Sequence, residues 1–270
     1  MRKIKRILFG VSFFIFVPVA FSWNTQGHEI IAQIAYDNLT TKAKADVQRY
    51  NQAINKVYHP KSFIKSAAWL DEIRWQGNHW YDGFHYIDMP FSDDGTSLSE
   101  PQKVNAAWAI EQAIDVLRNP RASHFDKGFA LRVLLHSTGD LHQPLHATTR
   151  VNKAFPDGDK GGNLIKLKKN FVAKTLHAYW DRGAGYLLGK GDKRRMKKAR
   201  YIAQRYPCGD FDVTPRPSAW ADASRQLAIE HAYPGHHLLD ASYQRVAIEI
   251  SQKQLAASGC RIAAFLNSLE

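Results

Sequence analysis

Apolar residues recur every three or four positions along most of this chain, which is the spacing of an amphipathic α-helix. Between residues 29 and 39, for example, Ile30, Ile31 and Ile34 fall on one helix face. The pattern predicts helices over residues 29–39, 42–57, 62–75, 105–117, 127–142, 193–206, 217–233, 239–257 and 260–269. Pro144 ends the fifth of these, because proline cannot continue a helix. We therefore expect an all-α fold built as one multi-helix domain.

Two stretches lack the helical spacing and are interpreted as long loops. Residues 76–100 are rich in Gly, Asp, Ser and aromatic residues, and residues 148–176 contain the turn signal Phe-Pro-Asp-Gly-Asp. Leu164, Ile165 and Leu167 in the second stretch predict one short β-hairpin. No internal repeat, linker or break in composition divides the remaining chain, so we expect a single domain over residues 23–270.

The first 22 residues have the pattern of a secretory signal peptide. A basic start with Arg2 and Arg6 precedes an apolar stretch, and Ala20-Phe21-Ser22 forms a small-x-small cleavage site. Cleavage after Ser22 would release a chain that begins at Trp23 and has no stable membrane anchor, for secretion or for the periplasm. An N-terminal anchor that stays uncleaved is the alternative interpretation.

Charge and cysteine content agree with an exported protein. The formal net charge is +12, and four of the positive charges lie in the predicted signal peptide. A basic secreted protein suits a polyanionic substrate or an anionic surface. The cysteines, Cys208 and Cys260, can form a disulfide after export, and two buried free thiols are the alternative.

Histidine and aspartate residues recur at a spacing of four, which places both side chains on one helix face. His136 and Asp140 form one such pair, and His177 and Asp181 form another. His146 follows the turn after the first pair and can reach a second ion. These donors are imidazole nitrogens and carboxylate oxygens with no thiolate nearby, a set that zinc accepts.

Residues upstream offer further ligands. The free α-amino group and the carbonyl of Trp23 can hold a metal ion together with the imidazole of His28, five residues later. Asp71 and Arg74 place a carboxylate and a guanidinium close together on a predicted helix, and His85 lies among aromatic residues. A lone histidine is more often an interior hydrogen-bonding residue, but the whole set together predicts metal binding.

With these motifs the chain resembles the single-strand-specific, zinc-dependent nucleases of the S1/P1 type, which share a trinuclear zinc fold with zinc-dependent phospholipase C. The resemblance is carried by residues 23–28, 69–74, 85–86, 136–146, 161–163, 177–181, 220–221 and 259–263. It extends over nearly the whole mature chain. The tryptophan at the predicted N-terminus, combined with the His/Asp spacings, makes it specific.

The resemblance implies three zinc ions and a ligand set for each. One ion would be held by Asp71, His85, His136 and Asp140, a second by His146, His177 and Asp181, and a third by Trp23, His28 and Asp140. Asp140 would thus bridge two ions. His142 lies inside the same motif on a different helix face, so we expect it to support the ligands or to fill the interior.

The resemblance also implies roles around the metals. Asp71 would orient the attacking water, and Arg74 would neutralise charge that grows on the phosphoryl oxygens. Tyr86 would stack a nucleobase, Asp88 would accept hydrogen bonds from the base edge, and Asn163 would contact the substrate. A stacked, unpaired base accounts for single-strand preference, because a duplex hides its base faces.

These expectations describe a secreted, monomeric zinc endonuclease that cuts single-stranded DNA and RNA to 5′-phosphorylated products, with an additional 3′-nucleotidase activity on nucleotides. A zinc-dependent phospholipase C is the main alternative, although the phospholipases use Glu where this chain has Asp181. A non-catalytic zinc- or anion-binding helical protein is the second alternative. It leaves Arg74 unexplained, because metal storage needs no arginine.

Overall fold

A computed structural model describes residues 23–233 and 239–269, and these residues are predominantly α-helical. The helices are α1 Thr25–Asp37, α2 Thr41–Ile54, α3 Phe63–Ser66, α4 Trp69–Trp75, α5 Ala106–Arg118, α6 His124–Leu141, α7 Leu176–Asp181, α8 Asp192–Arg205, α9 Pro217–Leu227 and α10 Ala241–Asn267. A single turn of π-helix, Ala228–Ala232, continues α9. The predicted all-α class is confirmed, and none of the described helices is long and apolar enough to cross a lipid bilayer.

Helix α6 lies at the centre of the helical assembly. It packs against α5 and α2 along its length and also contacts α1 and α10. Its residues from Ala130 to Leu141 are buried without interruption, so it has no solvent-exposed face there. A helix that is surrounded on all sides holds its side chains in fixed positions. The His136/Asp140 pair therefore projects from the most enclosed element of the fold.

Helix α1 packs against α10 through a close contact at Gly259. A Cβ atom at this position would lie 2.8 Å from Cβ of Ile34 and 2.9 Å from the carbonyl oxygen of Ile31. The predicted break between residues 257 and 260 is therefore wrong, because α10 runs unbroken from Ala241 to Asn267. Gly259 allows α1 and α10 to pack closely together, and it does not mark the end of a helix.

The predicted helix over residues 62–75 is also wrong in one respect, because it is two helices. Helix α3 ends at Ser66 and α4 begins at Trp69. At the break between them, the carbonyl oxygen of Ala67 accepts a hydrogen bond from Nδ1 of His136, at 2.7 Å. Apolar spacing continues through the break, which is why the sequence pattern did not reveal it.

The β-structure differs from the expected hairpin. Strands β1 Met89–Ser92 and β2 Thr148–Val151 form a two-stranded parallel sheet that the sequence did not predict. The segment around Ile165 and Leu167 pairs antiparallel with residues 174–176, but only as an isolated bridge between Lys166 and Thr175. The parallel pair joins segments far apart in the chain, so no local pattern marks it.

The predicted disulfide is confirmed, because Cys208 and Cys260 are bonded. It joins the segment after α8 to the last third of α10, across a sequence separation of 52 residues. Both ends pack against the main apolar core, which α1, α5, α6 and α10 share. The bond therefore ties the segment after α8 to the helix that packs against α1.

Removal of this disulfide by Cys208→Ser is expected to lower the free energy of unfolding by about 4 kcal/mol, from the loop-closure entropy that a cross-link over this separation removes from the unfolded chain. Urea unfolding of the variant and of the wild-type chain measures the difference. A reducing agent should reproduce the loss in the wild-type chain and leave the variant unchanged. A loss below about 1 kcal/mol would contradict this account.

Candidate metal centre

Buried imidazoles and carboxylates form three groups near the C-terminal end of α6. The groups are His28, His136 and Asp140; Asp71, His85 and His136; and His146, His177 and Asp181. Within each group, one potential ligand atom per residue lies within 4.8 Å of the others. The residues come from α1, α4, α6, α7 and two short 3₁₀ turns, so folding assembles what lies scattered in the sequence.

The carboxylate of Asp140 connects the first two groups. Its Oδ2 lies 3.1 Å from Nδ1 of His85 and 3.1 Å from Nε2 of His136. Its Oδ1 lies 3.2 Å from Nε2 of His28, on the other side. Asp71 completes the second group, with Oδ1 3.7 Å from Nδ1 of His85. One carboxylate thus offers an oxygen to each of two groups, which is the arrangement of a bridging ligand.

Backbone carbonyls orient three of the histidines. Nδ1 of His136 donates to Ala67, Nδ1 of His146 donates to His85 at 2.5 Å, and Nδ1 of His177 donates to Gly161 at 2.8 Å. A carbonyl oxygen can only accept, so the proton of each neutral ring is on Nδ1. Each Nε2 lone pair then points into the groups, as is usual for a histidine that binds a metal ion.

The contacts within the group of His146, His177 and Asp181 show whether a cation fits there. Nε2 of His146 lies 3.1 Å from Nε2 of His177, although each ring in its neutral form would carry its proton on Nδ1. Two lone pairs at this distance repel unless a positive charge lies between or beside them. Oδ2 of the buried Asp181 also has no hydrogen-bond partner among the described residues. A cation would interact favourably with both Nε2 lone pairs and with the Asp181 carboxylate at once, so these residues fit a metal ion.

Proton affinities in the groups reflect the same need for positive charge. Burial lowers the pKa of His136, but the nearby carboxylates of Asp140 and Asp71 outweigh it and raise this pKa to about 9. For His146, burial is likewise outweighed, chiefly by Asp181, and the pKa rises to about 9. Burial alone would raise the pKa of Asp140, but His136 holds it well below its usual range. His136 and His146 therefore hold a proton strongly where they can also bind a metal ion, whereas burial lowers the pKa of His28 and His85.

Trp23 is buried next to the groups. Its indole Nε1 donates to the carbonyl oxygen of Gly139 at 2.8 Å, one residue before Asp140. The backbone N–H of Asn24 donates to the carbonyl oxygen of Asp181 at 3.0 Å. A Cβ atom on Gly139 would approach Nδ1 of His28 to 2.9 Å, so glycine here lets α1 pack closely on α6. The predicted signal peptide and its cleavage site, residues 1–22, lie outside the described residues.

Arg74 lies on α4, beside the metal ligands. Its Nε is 2.9 Å from Oδ1 of Asp82, and this ion pair links α4 to the 3₁₀ turn that carries His85. Tyr86 directly follows that turn and is half-buried, and its carbonyl oxygen accepts a hydrogen bond from the N–H of Ala106 at 2.9 Å. Burial raises the pKa of Tyr86, and Arg74 is close enough to oppose that increase.

The remaining predicted substrate residues, Asp88 and Asn163, lie on the segments that carry His85 and Gly161. Burial raises the pKa of Asp88 to about 6, and His146 opposes this increase. The side chain of Asn163 donates to the carbonyl oxygen of Lys160 at 2.9 Å, within its own turn. Asp88 is thus close enough to influence a metal ligand, whereas the amide of Asn163 is bonded locally.

The sequence interpretation missed Gln143. Its Nε2 donates to Oδ1 of Asp181 at 2.6 Å, which fixes the orientation of that carboxylate. Its position between His142 and Pro144 in the histidine-rich motif was the available signal. His142 is buried, as expected for a supporting residue: its Nδ1 donates to Thr138, and its Nε2 accepts from Arg261 of α10.

Comparison with known proteins relates this chain consistently to nucleases. The profile of the S1/P1 nuclease family matches residues 23–270. Endonuclease 2 of Arabidopsis thaliana is 26% identical, over 93% of this chain and 92% of its own length. Nuclease P1 of Penicillium citrinum is 23% identical, over 92% of this chain and 97% of its own length. Nuclease S1 of Aspergillus oryzae is also 23% identical, over 92% of both chains. Because the family profile spans the helical assembly and every residue of the candidate metal centre, the chain belongs to the S1/P1 nuclease family and is a phosphodiesterase.

Proposed function

We propose that this chain is an exported, zinc-dependent endonuclease that cuts single-stranded DNA and RNA to 5′-phosphorylated products and also removes 3′ phosphates from nucleotides. The observation that carries the proposal is the set of three buried His/Asp groups joined through Asp140, in a chain of the S1/P1 nuclease family. Cleavage of the signal peptide after Ser22 would release a monomer into the periplasm or the medium.

The proposed cofactor is three zinc ions. The first would be held by Asp71, His85, His136 and Asp140, the second by His146, His177 and Asp181, and the third by Trp23, His28 and Asp140. Imidazole nitrogen and carboxylate oxygen without thiolate favour zinc over softer metals. Burial of Trp23 supports the third assignment, because signal cleavage would create an α-amino group on a residue whose indole contacts the backbone one residue before Asp140.

Zinc, when bound, supplies Lewis acidity that polarises phosphoryl oxygens and lowers the pKa of water toward neutrality. The chain's own groups then direct the reaction. Asp71, held on α4, is assigned the orientation of the attacking water through its carboxylate. Arg74, held in place by Asp82, is assigned the neutralisation of the negative charge that grows on the phosphoryl oxygens. Both groups lie on one short helix, so they face the same substrate.

Selection of single strands is assigned to Tyr86, with Asp88 at the base edge and Asn163 nearby. An aromatic ring can stack on a base only when that base is unpaired. The anchoring of the Tyr86 backbone to Ala106 holds the ring next to the ligand turn. Stacking tolerates every base, which suits an enzyme without strong sequence preference.

Replacement of Tyr86 by alanine is expected to raise KM for single-stranded dinucleotides about tenfold, because one stacked base contributes about 1–3 kcal/mol to binding. We expect kcat to change little, since stacking holds substrate and transition state alike. Tyr86→Phe keeps the ring and should stay near wild type. Tyr201→Ala, which removes an exposed tyrosine of α8, is the matched control. An unchanged KM in Tyr86→Ala would refute the stacking role.

The decisive test of the proposed function compares cleavage of single-stranded and double-stranded DNA by the purified protein that begins at Trp23. Activity on the single strand that disappears with a chelator and returns with added zinc would support the proposal. Vesicles of phosphatidylcholine serve as the second substrate. Zinc-loaded protein that releases phosphocholine and leaves DNA intact would overturn the nuclease proposal in favour of phospholipase C.

A further inference from the structure

Helix α8 presents a row of positive charges to solvent, outside the metal centre. The helix contains seven basic residues and one acidic residue. Arg195 faces the interior, where it is buried and pairs with Glu29 of α1 at 3.1 Å. Lys193, Lys197 and Arg200 are exposed, and their spacing of four and three residues places them on one face of the helix. We call these three residues the α8 basic stripe.

The charge of the α8 basic stripe is not neutralised by neighbouring side chains. The ion pairs of α8 involve Asp192, Arg195 and Arg205 instead. Among the residues that the structure describes, no carboxylate lies within ion-pair distance of a stripe residue. Lys193 and Lys197 are four residues apart, a spacing at which like charges destabilise a helix. Unpaired cations on one face are the electrostatic signature of a surface that binds a polyanion.

The stripe begins at the rim of a large open cavity that adjoins the metal ligands. This cavity has a volume of about 760 Å³, and its lining includes Asp71 and Lys190. Lys190 lies two residues before the start of α8. The helix is attached to this rim by Nζ of Lys198, which donates to the carbonyl oxygens of Tyr186 at 2.5 Å and Leu188 at 3.2 Å. A strand that leaves the cavity past Lys190 therefore reaches α8 first.

The far end of the stripe follows α1 away from the cavity. Thr25 at the start of α1 lines the cavity, whereas Gln33 in its last turns borders a separate hollow beside Arg200. Asp37, which ends α1, lines the same hollow and accepts a hydrogen bond from Gln33. Helix α8 has 14 residues and is about 20 Å long, at 1.5 Å per residue. The stripe is thus long enough to contact several successive phosphates of one strand.

We propose that the α8 basic stripe binds the phosphates of a single-stranded polynucleotide where the strand leaves the cavity, as a contact surface separate from the metal centre. The proposal rests on the proposed nuclease function. Lysine and arginine bind phosphates without reading the base sequence, which suits a strand of any composition. Long strands are therefore better substrates than dinucleotides, because the stripe holds the strand while the metal centre engages one of its bonds.

The test measures kcat/KM for a long single-stranded oligonucleotide and for a dinucleotide, in wild-type protein and in the triple variant Lys193→Gln, Lys197→Gln and Arg200→Gln. Each lost phosphate contact should reduce the slope of log kcat/KM against log salt concentration by about 0.7. Between about 50 and 200 mM salt, wild type should therefore lose about twentyfold more kcat/KM on the oligonucleotide than the triple variant loses. On the dinucleotide, which is too short to reach α8, both proteins should show the same salt dependence.

The matched control removes three exposed cations elsewhere, by Lys56→Gln, Lys103→Gln and Arg121→Gln, and changes the net charge by the same amount. It should keep the wild-type slope on the oligonucleotide. The same slope in wild type and in the α8 triple variant would overturn the proposal.

Two other results would also overturn it. In the first, the α8 triple variant keeps its slope on the oligonucleotide but no longer binds vesicles of phosphatidylglycerol, which would assign the stripe to an anionic lipid surface. In the second, zinc-loaded wild-type protein cuts neither substrate, which would overturn the nuclease function together with this proposal. Activity on the dinucleotide with no gain on the oligonucleotide would overturn the α8 contact alone.

Discussion

Replacement of Asp140 by asparagine is expected to reduce cleavage of single-stranded DNA by about a thousandfold or more. Asp140 offers Oδ2 to His85 and His136 and Oδ1 to His28, so it belongs to two ligand groups at once. Asparagine has nearly the same shape but replaces one carboxylate oxygen with an NH₂ group. That group has no lone pair for a cation, and the remaining oxygen carries no full charge.

The amount of bound metal should depend on how many ligand groups the substituted carboxylate belongs to. Asp140→Asn is expected to lower the amount of zinc bound per chain at both groups that share the carboxylate. Asp181→Asn should affect only the group that contains His146 and His177, because Asp181 reaches neither of the others. Elemental analysis of the purified variants, together with their rates on single-stranded DNA, distinguishes the two patterns.

The matched control is Asp37→Asn, which makes the same chemical change at an exposed position at the end of α1. It should keep wild-type metal content and activity. Wild-type zinc content in Asp140→Asn would show that the carboxylate does not bridge two ions. An inactive variant with full zinc content would move Asp140 from metal binding to a direct role in the chemistry.

The sequence predicted most of this centre because its ligands follow local rules. The four-residue spacing of His136 and Asp140 places them on one face of α6, and His177 and Asp181 repeat the geometry on α7. Apolar periodicity located the helices that carry them, since a helix must bury one face to be stable. The resemblance to the nuclease family then related His28 and Asp71, which no local spacing connects.

What the sequence could not reveal depends on contacts between distant segments. The break between α3 and α4 places the Ala67 carbonyl opposite His136, a contact across 69 residues of chain. Gln143 was overlooked because its partner, Asp181, is 38 residues away. Gly259 suggested a helix end, and only the position of Ile34 shows that it allows two helices to touch. Periodicity describes one segment at a time and holds no information about its neighbours.

Chelation of the metal ions is expected to lower the thermal midpoint of unfolding by about 10–20 °C, which corresponds to at least about 5 kcal/mol for a chain of this size. Without a cation, the fully buried Asp140 and Asp181 remain next to imidazole lone pairs. The apposed Nε2 atoms of His146 and His177, 3.1 Å apart, then repel each other unless one of the two rings takes up a proton. Buried charges and lone pairs that lose their counter-ion destabilise the folded state.

Calorimetry or circular dichroism of the protein with and without chelator measures the change in the midpoint, and added zinc should restore it. Asp140→Asn provides the internal control, since a variant that already lacks metal at two groups has less to lose and its midpoint should fall by a smaller amount. If wild type shows no change in its midpoint after its metal is shown to be gone, the ligand groups are stable without a cation. The repulsion inferred between His146 and His177 would then have to be relieved by protonation, and the midpoint of the metal-free protein should fall as the pH rises through about 9, the pKa of His146.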